Sequence, residues 1–265
     1  MSLAFSTLGC PGASLDHVLE LAKGNDISGL ELRAADEEFT NTGLTPAQRR
    51  ELRTRIEDAG LEILAVSSYV KLCAVEEQPL EAHLELAADL GARGVRVFPG
   101  DPDPAPDTGT GTDTGTADGP SAGEIRALDR VTSAPRDVHI LLETHDSHSA
   151  GRKMAALCTL LDTDVPGHNA KVVWDSAHTW SHGETPAEAF ELLKPWIEFV
   201  QIKETDSRQK YRPVAIGTGD YPIQDLLGTL KGTDYPLSLE WELKWHPHLP
   251  PLEETLPAAR AWATA

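Results

Sequence analysis

The 265-residue chain switches eight times between a short apolar run of strand character and a segment with helical spacing, which constrains its fold more than any single residue. The strand runs are read at 3–9, 29–34, 62–70, 94–100, 138–145, 171–178, 197–204 and 235–242. The intervening helices carry recognisable ends. Ser14 and Gly24 bracket the first, Thr45, Pro46 and Gly60 the second, and Thr185 and Pro186 open the sixth. Further helices are placed near 78–90, over EIRALDRV, at 150–161, from about Pro222 and at 251–263. Such alternation predicts an all-parallel sheet, and eight units predict a closed (β/α)8 TIM barrel, which takes about 250 residues. No Gly-rich dinucleotide fingerprint follows the first strand, which argues against an open doubly wound sheet. A single domain spanning 1–265 is therefore expected.

One stretch breaks the pattern. From Gly100 to Gly123 the chain holds five aspartates, no basic residue and nothing larger than proline to bury. Such a composition cannot build a core, so an insertion at about 101–122 after strand four is read as a flexible, solvated loop, either inert or a lid over the barrel mouth.

Acidic residues outnumber basic ones 42 to 23, a formal charge of −19. A surface of that sign repels phosphate backbones, so nucleic acid is not an expected partner and a small molecule is. No run approaches the roughly 20 apolar residues of a membrane span, and MSLAFSTLGC lacks the pattern of a secretion signal; a cytoplasmic protein with no membrane partner is expected. Cys10, Cys73 and Cys158 are odd in number and widely spaced, which predicts free thiols.

The chemistry gathers at strand ends. KVVWDSAH delivers Asp175 to a strand tip, and Ser176 and Ala177 are read as loosening the chain behind it. VHILLETH, FVQIKE and LSLEWE deliver Glu143, Gln201 and Glu240 in the same way. Because strand side chains alternate, Leu141, Glu143 and His145 share one face and Val138, Ile140 and Leu142 the other; Gln201 and Lys203, then Glu240 and Glu242, repeat that parity. Four consecutive strands ending in inward oxygen donors predict a divalent metal cup formed by Glu143, Asp175, Gln201 and Glu240 at the barrel mouth. Three carboxylates need a cation between them. An all-oxygen donor set favours Mg2+ or Mn2+ over Zn2+, with Co2+ a possible substitute in vitro.

With these motifs in place, the chain resembles the sugar phosphate isomerase/epimerase superfamily, the xylose isomerase-like barrels, from GLELR through LLETH, WDSAH, VQIKE and LSLEWE. The resemblance implies that Glu143, Asp175, Gln201 and Glu240 bind the metal, that Glu143 and Glu240 act as an acid/base pair, and that His178 touches substrate or takes part in catalysis. It further implies that the barrel can pair as a homodimer. Most sugar epimerases of the family have histidine where Gln201 stands, whereas members resembling 3-dehydroshikimate dehydratase use glutamine. Ketose 3-epimerases have an arginine where this chain has Ser207, with Arg208 beside it.

The expected activity is a metal-dependent isomerase or epimerase of a small sugar, sugar phosphate or polyhydroxy ketone. It would work by proton abstraction beside a chelated carbonyl. The alternative is a metal-dependent dehydratase of a cyclic hydroxy-ketone such as 3-dehydroshikimate or an inosose. His145, Lys203 and Glu242 are expected either to meet substrate or to orient the ligands, and Glu31, Arg33 and Tyr69 are further candidate lining residues. GTGD at 217–220 reads as a tight turn and WHPHLPP as a rigid loop. Trp180 and Trp245 are the tryptophans beyond strand tips. An endonuclease IV-like nuclease would require more histidines and a basic face, and an inactive binding barrel would require loss of metal.

Overall fold

The computed structural model describes residues 1–75, 77–104 and 119–264. Eight parallel strands close into a barrel: β1 (Leu3–Ser6), β2 (Gly29–Arg33), β3 (Glu62–Lys71), β4 (Gly94–Phe98), β5 (His139–Glu143), β6 (Ala170–Asp175), β7 (Ile197–Ile202) and β10 (Leu237–Leu239). Their order around the barrel follows the chain, and β1 closes it by pairing with both β2 and β10. The two-residue strands β8 (Thr205–Asp206) and β9 (Arg212–Pro213) form a separate antiparallel hairpin after β7.

Helices α1 (Leu15–Gly24), α2 (Pro46–Asp58), α3 (Leu80–Leu90), α4 (Ala122–Ser133), α5 (Gly151–Asp164), α6 (Ser176–Ser181), α7 (Pro186–Leu193), α8 (Ile223–Thr229) and α9 (Leu252–Thr264) complete the crossovers. Their starts follow from sequence chemistry. Thr45, Ser121 and Thr185 each accept from the backbone three residues on, while Gln48, Glu124 and Glu188 reach back to close capping boxes.

Strand alternation splits the core in two. Outward side chains, including Leu30, Val95, Ile140, Trp174 and Trp241, pack against the helices. Inward ones form a small plug of Ala4, Leu64, Ala65, Leu141, Val173 and Phe199. Gly94 belongs to this arrangement, because a Cβ there would lie 2.5 Å from the His139 carbonyl oxygen and 2.7 Å from Leu141 Cγ. The plug floors the cup and leaves only the next inward residue of each strand free for chemistry.

Several boundaries differ from the sequence expectation. The first strand stops at Ser6, and Thr7–Gly9 turn into a 3-10 helix. The last barrel strand covers only Leu237–Leu239 of the expected 235–242; Glu240 still donates its amide to the Ile202 carbonyl, and the chain then leaves the sheet. Ser176 and Ala177 do not loosen the chain after β6 but begin α6, capped by Asp175. Of the insertion expected at 101–122, residues 105–118 lie outside the described residues, so the loop and lid readings do too. At its described ends, buried Asp101 accepts from Ser121 Oγ and from the Asp103 amide. All three cysteines are free and buried. Among the described residues no helix is long and apolar enough to cross a membrane.

Candidate active site and metal centre

The register that closes the barrel also assembles the cup. Asp175 pairs with Gln201 and Gln201 with Ser238, so the inward residues of β6, β7 and β10 share one level. Asp175 is fully buried; its Oδ1 accepts from the Ala177 and His178 amides at 3.0 and 3.1 Å, which turns Oδ2 into the cup. Glu143, the last residue of β5, is also fully buried, with Oε2 3.1 Å from Arg96 Nε and no hydrogen bond to Oε1. Gln201 donates through Nε2 to Glu31 at 2.9 Å, leaving Oε1 buried and without a partner. One carboxylate oxygen from each of Glu143, Asp175 and Glu240 lies within 4.8 Å of the others.

These donors fit a hard divalent cation. Buried oxygens are normally satisfied, and here Glu143 Oε1 and Gln201 Oε1 are left without partners beside converging carboxylates. The electrostatics agree. Burial, and then the nearness of Glu240, push Glu143 up to about 8, and burial raises Glu240 as well. Lys203 is the cation at hand: its Nζ lies 2.8 Å from Asp175 Oδ2 and bonds Glu240 and Glu242. Burial would lower its pKa, but those three carboxylates hold it well above the usual lysine value. Against burial, His178 and Lys203 keep Asp175 below its ordinary range, and Lys203 and His246 do the same for Glu242.

Two histidines stand over the cup. His145 lies between rings, 4.3 Å from Phe98 and 4.8 Å from His178, and the Arg96 guanidinium sits 4.2 Å over Phe98. Burial pushes His178 down to about 4, so it is a neutral imidazole at physiological pH. His145 is raised: burial opposes the charge, but its contact with Asp146 and the nearby Glu143 outweigh it. The site thus holds a neutral ring beside a more basic one.

The remaining predicted residues fall into two groups. Glu31 lies beneath the cup rather than along its wall, its oxygens taken by Ser238 and Gln201, and burial and then Glu240 raise it to about 7. Arg33 and Tyr69 line a neighbouring cavity of about 490 Å3 with Glu37 and Trp245. Arg33 donates to the Tyr69 hydroxyl at 2.7 Å, to Glu37 at 2.8 Å and to Glu38. Trp245 is 54% exposed and meets the Tyr69 edge, whereas Trp180 packs edge-on against Tyr211 and Tyr221. Arg208 is exposed and held by Asp206. GTGD is a turn pinned by Glu204, which accepts from the Gly217 amide, and by Asp220, which holds Ser207.

Sequence reasoning missed Arg96, Phe98 and Ser238. Arg96 had a visible signal, since GVRVF places it opposite the outward Val95 and Val97. Ser238 had the same signal, two residues before Glu240.

A chain 26% identical over 249 residues, covering 86% of this protein and 85% of its own length, is a 3-dehydroshikimate dehydratase of Bacillus anthracis. Among solved structures, a probable 3-DHS dehydratase of Bacillus anthracis superposes with a TM-score of 0.72 at 19% identity, covering 100% of this chain and 99% of its own. An L-ribulose 3-epimerase gives 0.73 at 18%, covering 100% and 94%. Both structural likenesses speak to the fold. The model of the xylose isomerase-like TIM barrels matches residues 19–265, and the chain belongs to that family.

Proposed function

We propose that the protein is a divalent-metal-dependent isomerase or epimerase of a small polyhydroxylated ketone or aldehyde, with Glu143, Asp175, Gln201 and Glu240 holding the ion. The observation that supports it best is the convergence of three buried carboxylates on one point beside the partnerless Glu143 Oε1 and Gln201 Oε1. A cation held there would supply Lewis-acid polarisation of a substrate carbonyl and charge to offset the carbanion formed when the α-proton leaves.

The chain's own groups supply the rest. Glu143, from β5, and Glu240, from beyond β10, reach the cup from different strands, and both have raised proton affinities. Inversion at carbon needs one group to take a proton and another to return it, and this pair meets that need. Lys203 Nζ steadies Asp175 and Glu240 and offers positive charge to a substrate oxygen. Neutral His178, 3.5 Å from both Asp175 Oδ2 and Lys203 Nζ, would hydrogen-bond a substrate hydroxyl. His145 and Phe98 form an aromatic wall behind it.

A second reading, dehydration of a cyclic hydroxy-ketone, is favoured by the 26% identical dehydratase and by glutamine at 201. Both readings begin with the same proton abstraction, and His145, the more basic of the two histidines, would protonate the departing hydroxyl. Incubating Mn2+-loaded protein with ketoses in deuterated water separates them. Deuterium at an inverted carbon supports the epimerase, whereas an enone or aromatic absorbance from 3-dehydroshikimate supports the dehydratase. Failure to bind Mn2+ or Mg2+ on dialysis, with no exchange on any ketone, would remove both.

A further inference from the structure

Ser147 and His148, in the 3-10 turn Asp146–His148 that follows β5, anchor a polar cluster outside the cup. Buried Asp101 donates its amide to Ser147 Oγ at 2.9 Å, and Ser147 Oγ lies 2.9 Å from His148 Nδ1. With its oxygen accepting from that amide, the Ser147 hydroxyl gives its hydrogen to Nδ1, which leaves the His148 proton on Nε2, 3.8 Å from Glu124 Oε1. Glu124 in turn accepts from the Ser121 amide at 2.6 Å, and Ser121 Oγ donates to the Asp101 carboxylate. The circuit is closed. It is also tight, since a Cβ on Gly123 would lie 2.4 Å from Asp101 Cγ.

Three segments meet in this circuit. Asp101 lies beyond β4, Ser121 and Glu124 open α4, and the turn stands directly behind His145. The turn meets His145 twice: the His148 amide donates to the His145 carbonyl at 3.0 Å, and Asp146 Oδ1 lies 2.9 Å from His145 Nδ1, close but out of line for a full hydrogen bond. Asp146 reaches back because it takes the left-handed conformation, at φ 48°, which aspartate tolerates. A contact with so little directional hold cannot fix an imidazole alone. The place of His145, with its ring 4.3 Å from Phe98 and 4.8 Å from His178, therefore depends on where the turn is set.

We infer that Asp101, Ser121, Glu124, Ser147 and His148 form a latch that sets the His145 imidazole over the cup, with His148 a positioning residue that acts through Asp146. A buried polar circuit whose members satisfy one another has one geometry, whereas an apolar cluster at the same place would let the turn shift. The inference rests on the proposed function only for what His145 does to a substrate; where its ring sits depends on neither metal nor turnover.

Histidine ring signals of the 15N-labelled, metal-free full chain test this, with His145 assigned by its loss in His145→Gln. In wild type the Phe98 ring displaces the His145 ring protons. In His148→Ala and Glu124→Ala these should return towards free-imidazole positions or broaden. His139, the first residue of β5, and His168, just before β6, lie at the opposite end of the barrel and should not move. Glu124→Gln still accepts from the Ser121 amide and from His148 Nε2–H, so it should keep the wild-type His145 signals, a rescue that a general loss of stability would not give. If an alanine variant fails to fold, seen as lost dispersion of His139 and His168, Ser147→Ala removes only one hydroxyl and carries the same expectation. His145 signals unchanged in the folded alanine variants, or moved as far by Glu124→Gln as by Glu124→Ala, would overturn the inference. Mn2+ binding, measured separately, decides the metal-dependent reading and not this one.

Discussion

Lys203→Met isolates what holds the cup together. The ammonium is 2% exposed, sits 2.8 Å from Asp175 Oδ2 and also contacts Glu240 and Glu242. Removing one partner from a buried ion pair costs about 3–5 kcal/mol, because the other charge stays buried without compensation. Here Glu143 and Glu240 already have raised proton affinities and relieve part of the repulsion by taking up protons, so the lower end applies at neutral pH. In a chain of this size 1 kcal/mol moves the thermal midpoint by about 2–4 °C, which predicts a drop of about 6–12 °C in chelator. The deficit should shrink towards pH 5, where the carboxylates that lost their cation protonate. Excess Mn2+ at about 100 times its Kd stabilises wild type by about 2.7 kcal/mol, and it should raise the variant by more because it also removes the repulsion. Thermal melts by circular dichroism, with chelator and with Mn2+, measure both. An unchanged midpoint in chelator, or equal gains from Mn2+, refutes the picture of Lys203 as the cation that balances the ligand carboxylates.

Three further outcomes follow from the same geometry. Glu240→Gln should keep most of its Mn2+ affinity through Glu143, Asp175 and Gln201 yet lose turnover by about 10²–10⁴-fold, as measured in metal-replete buffer; near-wild-type rates would take Glu240 out of the proton transfer. Metal-free protein should lose stability as pH rises from about 4.5 to about 8, because Glu31 and Glu143 keep their protons up to about 7 and about 8 when folded but release them near 4.5 when unfolded. Urea midpoints across that window, flattened by saturating Mn2+, check the sign. Gln201→His should fold normally, with one imidazole N–H replacing the amide's bond to Glu31, and its Zn2+ to Mn2+ affinity ratio should rise; an unchanged ratio means that Gln201 does not touch the ion.

How far the sequence reveals this molecule depends on whether a feature is set by local periodicity or by register. Alternation along β5, β7 and LSLEWE fixes which side chains face inward, so Glu143, Gln201 and Glu240 could be placed on one wall before any strand was paired. The same rule misjudged the last strand. Glu240 and Glu242 keep the alternating pattern although the sheet ends at Leu239, with Glu240 making a last amide bond to the Ile202 carbonyl before the chain turns away. Register also decides partners, which no single segment encodes: Arg96 finds Glu143 because β4 pairs with β5. Glu31 finds Gln201 only because the ring of strands closes through β1 and β10. Glu31 illustrates the consequence. On its strand it reads as one more polar residue facing the substrate, yet closure buries it below the cup, where it holds the Gln201 amide nitrogen. With Nε2 held there, Oε1 is left buried and without a partner. A glutamine can present its oxygen rather than its nitrogen to a cation only when something else accepts from the nitrogen, so if Gln201 ligates an ion its donor atom is chosen by Glu31, a residue 170 positions away.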